Sequence, residues 1–219
     1  TLTFSLDSGS GSAPSNITGK VIGEIVSLPT TNSTKTGYTF GGWSIDGTTY
    51  PAGGSFTVGN GDAAFVAVWI QNTNLIIYNG NGATGGTVPS SGSHVTGASP
   101  GYTVASNSGS LVKTGFTFAG WNTAADGSGT DVAERATNFL TTTNVTLYAK
   151  WTAESYSVTY DTIGGSTAPT QSNTAYGSTF TLPSAPTKAG FTFVGWRLNS
   201  NNYAAGSNFT MGSSAITFT

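Results

Sequence analysis

Gly115-Phe116-Thr117-Phe118-Ala119-Gly120-Trp121 is one of three writings of a single phrase in this chain. The others are Gly37-Tyr38-Thr39-Phe40-Gly41-Gly42-Trp43 and Gly190-Phe191-Thr192-Phe193-Val194-Gly195-Trp196. The closing tryptophans, Trp43, Trp121 and Trp196, stand 78 and 75 residues apart. Solenoid units repeat every 20–50 residues or so, so this longer period describes a very small domain copied in tandem. Tandem copying suits a task done by length, spacing or multivalency, since a single active cleft does not need its scaffold three times.

Working outward, each phrase sits inside the same frame. A short apolar strand opens it: Leu2-Thr3-Phe4-Ser5-Leu6, Leu75-Ile76-Ile77-Tyr78 or Tyr156-Ser157-Val158-Thr159-Tyr160. Turn-forming Asp, Asn, Ser and Gly follow. A second apolar run is clearest in Ser178-Thr179-Phe180-Thr181-Leu182-Pro183, and the phrase is the third strand. The closing strand is Phe65-Val66-Ala67-Val68-Trp69 or Val145-Thr146-Leu147-Tyr148-Ala149-Lys150-Trp151. Its alternation puts Phe65, Ala67 and Trp69, or Leu147, Ala149 and Trp151, on one half-buried face. The predicted modules are residues 1–71, 72–153 (with an insertion at about 92–110) and 154–219. The third ends in Ala215-Ile216-Thr217-Phe218-Thr219, before the expected Ala-x-Trp. That pattern predicts a segment of a longer array, with a frayed last strand and any export signal lying upstream.

The phrase poses a geometric problem. Strict alternation sends Phe116, Phe118 and Gly120 one way and Trp121 the other. A bulge at Ala119-Gly120 would return Trp121 to the core, and a glycine inside a strand often marks one. The structural set is therefore Tyr38, Phe40, Trp43, Trp69, Phe116, Phe118, Trp121, Trp151, Phe191, Phe193 and Trp196, read as core before ligand contacts. Helix formers gather only at Val132-Ala133-Glu134-Arg135-Ala136.

Gly-[Tyr/Phe]-Thr-Phe-x-Gly-Trp, with Lys35, Lys113 or Lys188 two positions upstream and Ala-x-Trp at the end of the unit, resembles the Listeria–Bacteroides repeat family. These are the B-repeat modules of internalin-type surface proteins. Val158-Thr159-Tyr160-Asp161 with Gly164-Gly165, and Leu182-Pro183, match the family's first two strands. The resemblance covers essentially the whole chain. It implies tandem β-grasp (ubiquitin-like) modules, mainly β with little helix, arranged as beads on a string. It also implies a bacterial surface or secreted setting, commonly as stalk or adhesin segments. Copy one departs from the pattern in its Gly-Ser-rich first turn at Ser8–Ser12.

Composition points the same way. Charged residues make up 7% of the chain, against roughly a quarter in ordinary domains, and polarity comes from Ser, Thr, Asn and 31 Gly. A net charge of −2 gives no electrostatic footprint for nucleic acid. With no cysteine, disulfides and thiolate metal sites are excluded. No apolar run is long enough to insert in a membrane as a helix.

Chemical motifs fail on their context, and no cofactor, metal or catalytic residue is expected. Gly80–Gly85 fits GxGxxG, but Gly86-Thr87-Val88-Pro89 cannot begin the helix that would hold a pyrophosphate. Gly97-Ala98-Ser99-Pro100-Gly101 fits the GxSxG elbow without its strand and helix. His94, the chain's single histidine, reads as a solvated loop residue. Asp126 to Asp131 reads as a solvated turn in preference to a calcium loop. Lys35, Lys113 and Lys188 read as exposed, with isopeptide cross-links a lesser reading. Two functions are left: a spacer carrying an adhesive tip, its repeats partnered by their neighbours in the chain and joined by short linkers near Ile70–Asn74 and Thr152–Ser155, or weak multivalent binding of a host glycan or surface protein by the repeats themselves. Aromatics exposed at one address in every copy would mark the second; Tyr50 and Tyr203 are candidates, with no aromatic counterpart near Thr130.

Overall fold

The computed structural model describes residues 1–219 and is all β, with no helix. Contacts divide it into two compact units. One comprises Thr1–Ile77, Ser90–Val104 and Arg135–Thr146; the other comprises Tyr78–Pro89, Ala105–Glu134 and Leu147–Thr219.

Repeat 1 contributes β1 (Leu2–Ser5), β2 (Ile25–Ser27), β3 (Tyr38–Ile45), β4 (Thr48–Tyr50), β5 (Ser55–Thr57) and β6 (Ala63–Gln71). Its main sheet runs β1-β6-β3-β4: the first and last strands pair in parallel at Phe4↔Phe65, and β3 lies antiparallel to β6 and β4. β2 and β5 form a separate two-stranded ribbon. Leu2, Phe4, Val26, Leu28, Trp43, Phe65 and Ala67 are buried together.

Repeat 2 supplies β7 (Thr73–Asn79), β8 (Gly92–Val95), β9 (Phe116–Asn122), β10 (Asp131–Val132) and β11 (Val145–Ala153), in the sheet order β10-β9-β11-β7-β8. Within residues 92–110 the isolated bridge Tyr102↔Phe139 stands where Val26↔Phe56 pair in repeat 1. Val104 is buried as Leu28 is.

Repeat 3 holds β12 (Ser155–Tyr156), β13 (Val158–Tyr160), β14 (Thr174–Ala175), β15 (Thr179–Thr181), β16 (Trp196–Leu198), β17 (Asn201–Tyr203), β18 (Asn208–Thr210) and β19 (Ile216–Phe218). They pair as β12-β14, β13-β19, β15-β18 and β16-β17.

The bulge is present. Phe40↔Trp69 is followed by Trp43↔Ala67, so three steps on β3 match two on β6. In repeat 2, Phe118↔Trp151 and Trp121↔Ala149 give the same offset. In all three copies the tryptophan lies against the preceding phenylalanine, with ring centroids 5.2, 5.1 and 5.3 Å apart. Gly42, Gly120 and Gly195 take φ of 121°, 106° and 144° there, a region that side chains resist.

Val132–Ala136, where the helix formers gather, forms no helix: Val132 lies in β10 opposite Trp121, and the chain turns at Arg135 with φ 57°. Five residues cannot offset helix nucleation when the sheet buries the valine. The last strand is not frayed either. β19 runs parallel to β13, and Phe218 is fully buried, stacked on Tyr160 at 5.6 Å. That apolar burial holds the strand although it is only three residues long.

Candidate functional site

The recurring residues converge on one corner in each repeat. Trp43, Trp121 and Trp196 have no exposed surface. Each indole Nε1 donates to the carbonyl that ends the second apolar run: Pro29 at 2.8 Å, Ala105 at 2.9 Å and Pro183 at 3.0 Å. The tryptophans of the last strand, Trp69 and Trp151, do the same for the first turn. Trp69 Nε1 donates to Leu6 O at 2.8 Å, and Trp151 Nε1 lies 3.2 and 3.1 Å from Gly80 O and Asn81 O. A buried indole N–H without a partner would cost about 1–3 kcal/mol, so these bonds let the rings be buried.

The lysines complete the corner, in a role their sequence pattern did not suggest. Each Nζ lies 4.8 Å from the ring centroid of Tyr38, Phe116 or Phe191. Each also reaches a carbonyl of the first turn: Lys35 to Asp7 O at 3.5 Å, Lys113 to Asn81 O at 3.5 Å and Lys188 to Ile163 O at 2.6 Å. Lys35 and Lys113 are half-buried by this, while Lys188 is exposed. Each ammonium group thus faces an aromatic ring and a main-chain carbonyl.

Tyr50 and Tyr203 are half-buried at the core edge, against Phe56 and Phe65 in one copy and Phe209 and Phe218 in the other. Register makes Val132 their counterpart, two residues beyond Thr130: it faces Trp121 as Tyr50 faces Trp43 and Tyr203 faces Trp196.

The catalytic-looking motifs stay apart. Asn81-Gly82 is a left-handed turn with Ala83 N donating to Gly80 O, and no helix follows it. His94 is not a solvated loop residue: it lies in β8 opposite Asn74, 5% exposed, because strand pairing extends through it. Ser99 is exposed in the loop beyond that strand. Asp126 accepts from Ser128, whereas Asp131 accepts from Asn122 and Lys150, so the two carboxylates serve different partners.

Lys150 and Asn122 hold the Asp131 carboxyl below its usual range, and hydrogen bonds from Tyr156 and Thr117 do the same for Glu154. A carboxyl whose pKa is lower folded than unfolded stabilises the fold above the unfolded pKa of about 4 and loses that contribution as pH falls. The midpoint of thermal unfolding should therefore drop as pH is lowered below about 4, and Glu154→Gln should remove part of the drop. An unchanged acid limb in that variant would show that Glu154 contributes nothing to it.

The profile of the Listeria-Bacteroides repeat domain matches residues 1–68, 75–150 and 156–219. The chain belongs to the Listeria–Bacteroides repeat family. Over 174 residues, 75% of the chain, it is 36% identical to a protein of Evansella cellulosilytica named as a Gly-rich membrane protein. Over 84 residues, 38% of the chain, it is 45% identical to Internalin H of Listeria monocytogenes. The matched stretches make up 20% and 14% of those two relatives, so the chain corresponds to a minor part of each.

Proposed function

We propose that this chain is a non-catalytic repeat segment of a bacterial cell-surface or secreted protein, where it acts as the spacer of an adhesin. The observation that carries the reading is what recurs. The residues common to all copies are tryptophans that are fully buried, phenylalanines packed against them, and lysines clamping a turn. Repetition has been spent on rebuilding a scaffold: the one ionisable residue that recurs in the corner, the lysine, lies against a ring and a turn carbonyl in every copy. Each repeat reads as a β-grasp module whose helix is replaced by turns. The parallel pairing of first and last strands beside the phrase strand supports this. Internalin H among the relatives supports a surface setting.

The second reading, weak multivalent capture of a host glycan or surface protein by the repeats, has one observation in its favour: Phe191 is 72% exposed. The two are separated by applying the folded chain to a glycan array and to intact host-type cells. The spacer reading expects no saturable binding. Saturable binding that is lost in Phe191→Ser would make the repeats the adhesive element.

A further inference from the structure

The corner described above has an outer side, and in two of the three repeats that side is covered by the following repeat. Gly37 O accepts from Asn72 N at 2.9 Å, and Asn72 O accepts from Thr96 N at 2.9 Å. One repeat later, Gly115 O accepts from Glu154 N at 2.9 Å, and Glu154 O accepts from Tyr176 N at 2.8 Å. Side chains copy the pattern: Thr39 Oγ1 donates to Asn72 Oδ1 at 2.7 Å, and Thr117 Oγ1 to Glu154 Oε1 at 3.0 Å.

Thr96-Gly97 and Tyr176-Gly177 are the same turn, leading into the second apolar run of their repeats, and Ile22-Gly23 is its version in repeat 1. Gly23 N donates to Val58 O and Gly177 N to Met211 O, while Gly23, Gly97 and Gly177 have φ of 85°, 75° and 76°. Thus two joints of unlike sequence, Asn72 with Thr96 and Glu154 with Tyr176, make one bonding scheme. A Cβ on Gly37 would sit 2.4 Å from Thr96 Cγ2, and one on Gly115 would sit 2.3 Å from the Tyr176 ring. Phe116 packs edge-on against Tyr176 at 5.5 Å.

The third corner, at Lys188, Gly190 and Phe191, shows the same surface uncovered. A Cβ on Gly190 would meet nothing within 4 Å, although its φ of 77° matches the 76° of Gly115. Phe191 is exposed where Tyr38 and Phe116 are half-buried.

We propose that the lysine–glycine–aromatic corner of each repeat is a docking surface for the lead-in turn of the next repeat, so that joined repeats are coupled through it and not strung on a flexible linker. The glycine lets the turn approach, the aromatic provides the apolar floor, and the linker residue bonds to both sides.

The test exploits the matched glycines. Ala133→Cys and Ser200→Cys, both exposed and in a chain without cysteine, receive nitroxide labels, and the distance distribution between them is measured. In the parent chain a single narrow peak is expected. Gly115→Ala should broaden it into a continuous spread, and Gly190→Ala should leave it narrow. The two alanines adopt the same left-handed backbone, so strain is common to both and loss of docking belongs to the first alone. Tyr176→Ser should broaden the peak as well, with circular dichroism and tryptophan emission showing that the repeats remain folded. A broad parent distribution, or equal widths in Gly115→Ala and Gly190→Ala, would overturn the proposal.

Discussion

Trp121→Ala is expected to unfold its repeat. The side chain has no exposed surface, its indole donates to Ala105 O at 2.9 Å, and it is gripped edge-on by Tyr78 at 4.7 Å and Phe118 at 5.1 Å. Truncating a buried tryptophan costs about 3–5 kcal/mol in lost transfer energy and cavity formation. A domain the size of residues 75–150 holds on the order of 4–11 kcal/mol in total, at roughly 0.05–0.15 kcal/mol per residue. No disulfide is present to limit the loss. Urea titration followed by circular dichroism should show an early transition that is absent from the parent. Trp121→Phe should lose less, because the ring contacts survive while Ala105 O loses its donor. If Trp121→Ala leaves the urea profile unchanged, the aromatic corner is not what holds the repeat together.

That prediction could be made from the sequence alone, because the phrase recurs and a glycine precedes the tryptophan each time. The repeat period, the strands and the bulge were legible for one reason: alternation and glycine placement are local, and three copies average out chance. What was missed depends on contacts between distant residues. The role of Lys113 requires Phe116 and Asn81 O to meet, 32 residues apart in the latter case; its constant offset from the phrase was the available sign. The burial of His94 depends on pairing with Asn74, which its Ser-Gly-rich surroundings concealed. The helix formers at 132–136 lost to burial of Val132 beside Trp121. The bonding at the joint was not legible, because its main-chain bonds are indifferent to side chain and Asn72 and Glu154 serve equally as acceptors for the threonine of the phrase.

The bulge glycine should prove as indispensable as the tryptophan it turns. A Cβ built on Gly42 would lie 2.1 Å from Tyr50 O, and the obstacle is backbone of the paired strand β4, not a flexible side chain. With φ at 121°, the residue also occupies a region where an L side chain is strained, at a cost of about 1–3 kcal/mol. Relief requires either splitting β3 from β4 or flattening the bulge, and flattening would rotate Trp43 out of the core. Gly42→Ala is therefore expected to destabilise by about 3 kcal/mol or more, the strain being only part of the cost. The other copies set a scale: the nearest backbone oxygen is 2.9 Å away at Gly195 and 3.1 Å at Gly120. Losses should then fall in the order Gly42, Gly195, Gly120. Gly47→Ala supplies the baseline, since its φ is 79° with nothing within 4 Å, leaving left-handed strain of about 1–2 kcal/mol. Thermal melts of the four variants decide the matter. If Gly42→Ala melts with Gly47→Ala, the close approach to Tyr50 is not a constraint on the fold, and alternation would have to deliver Trp43 to the core by another route.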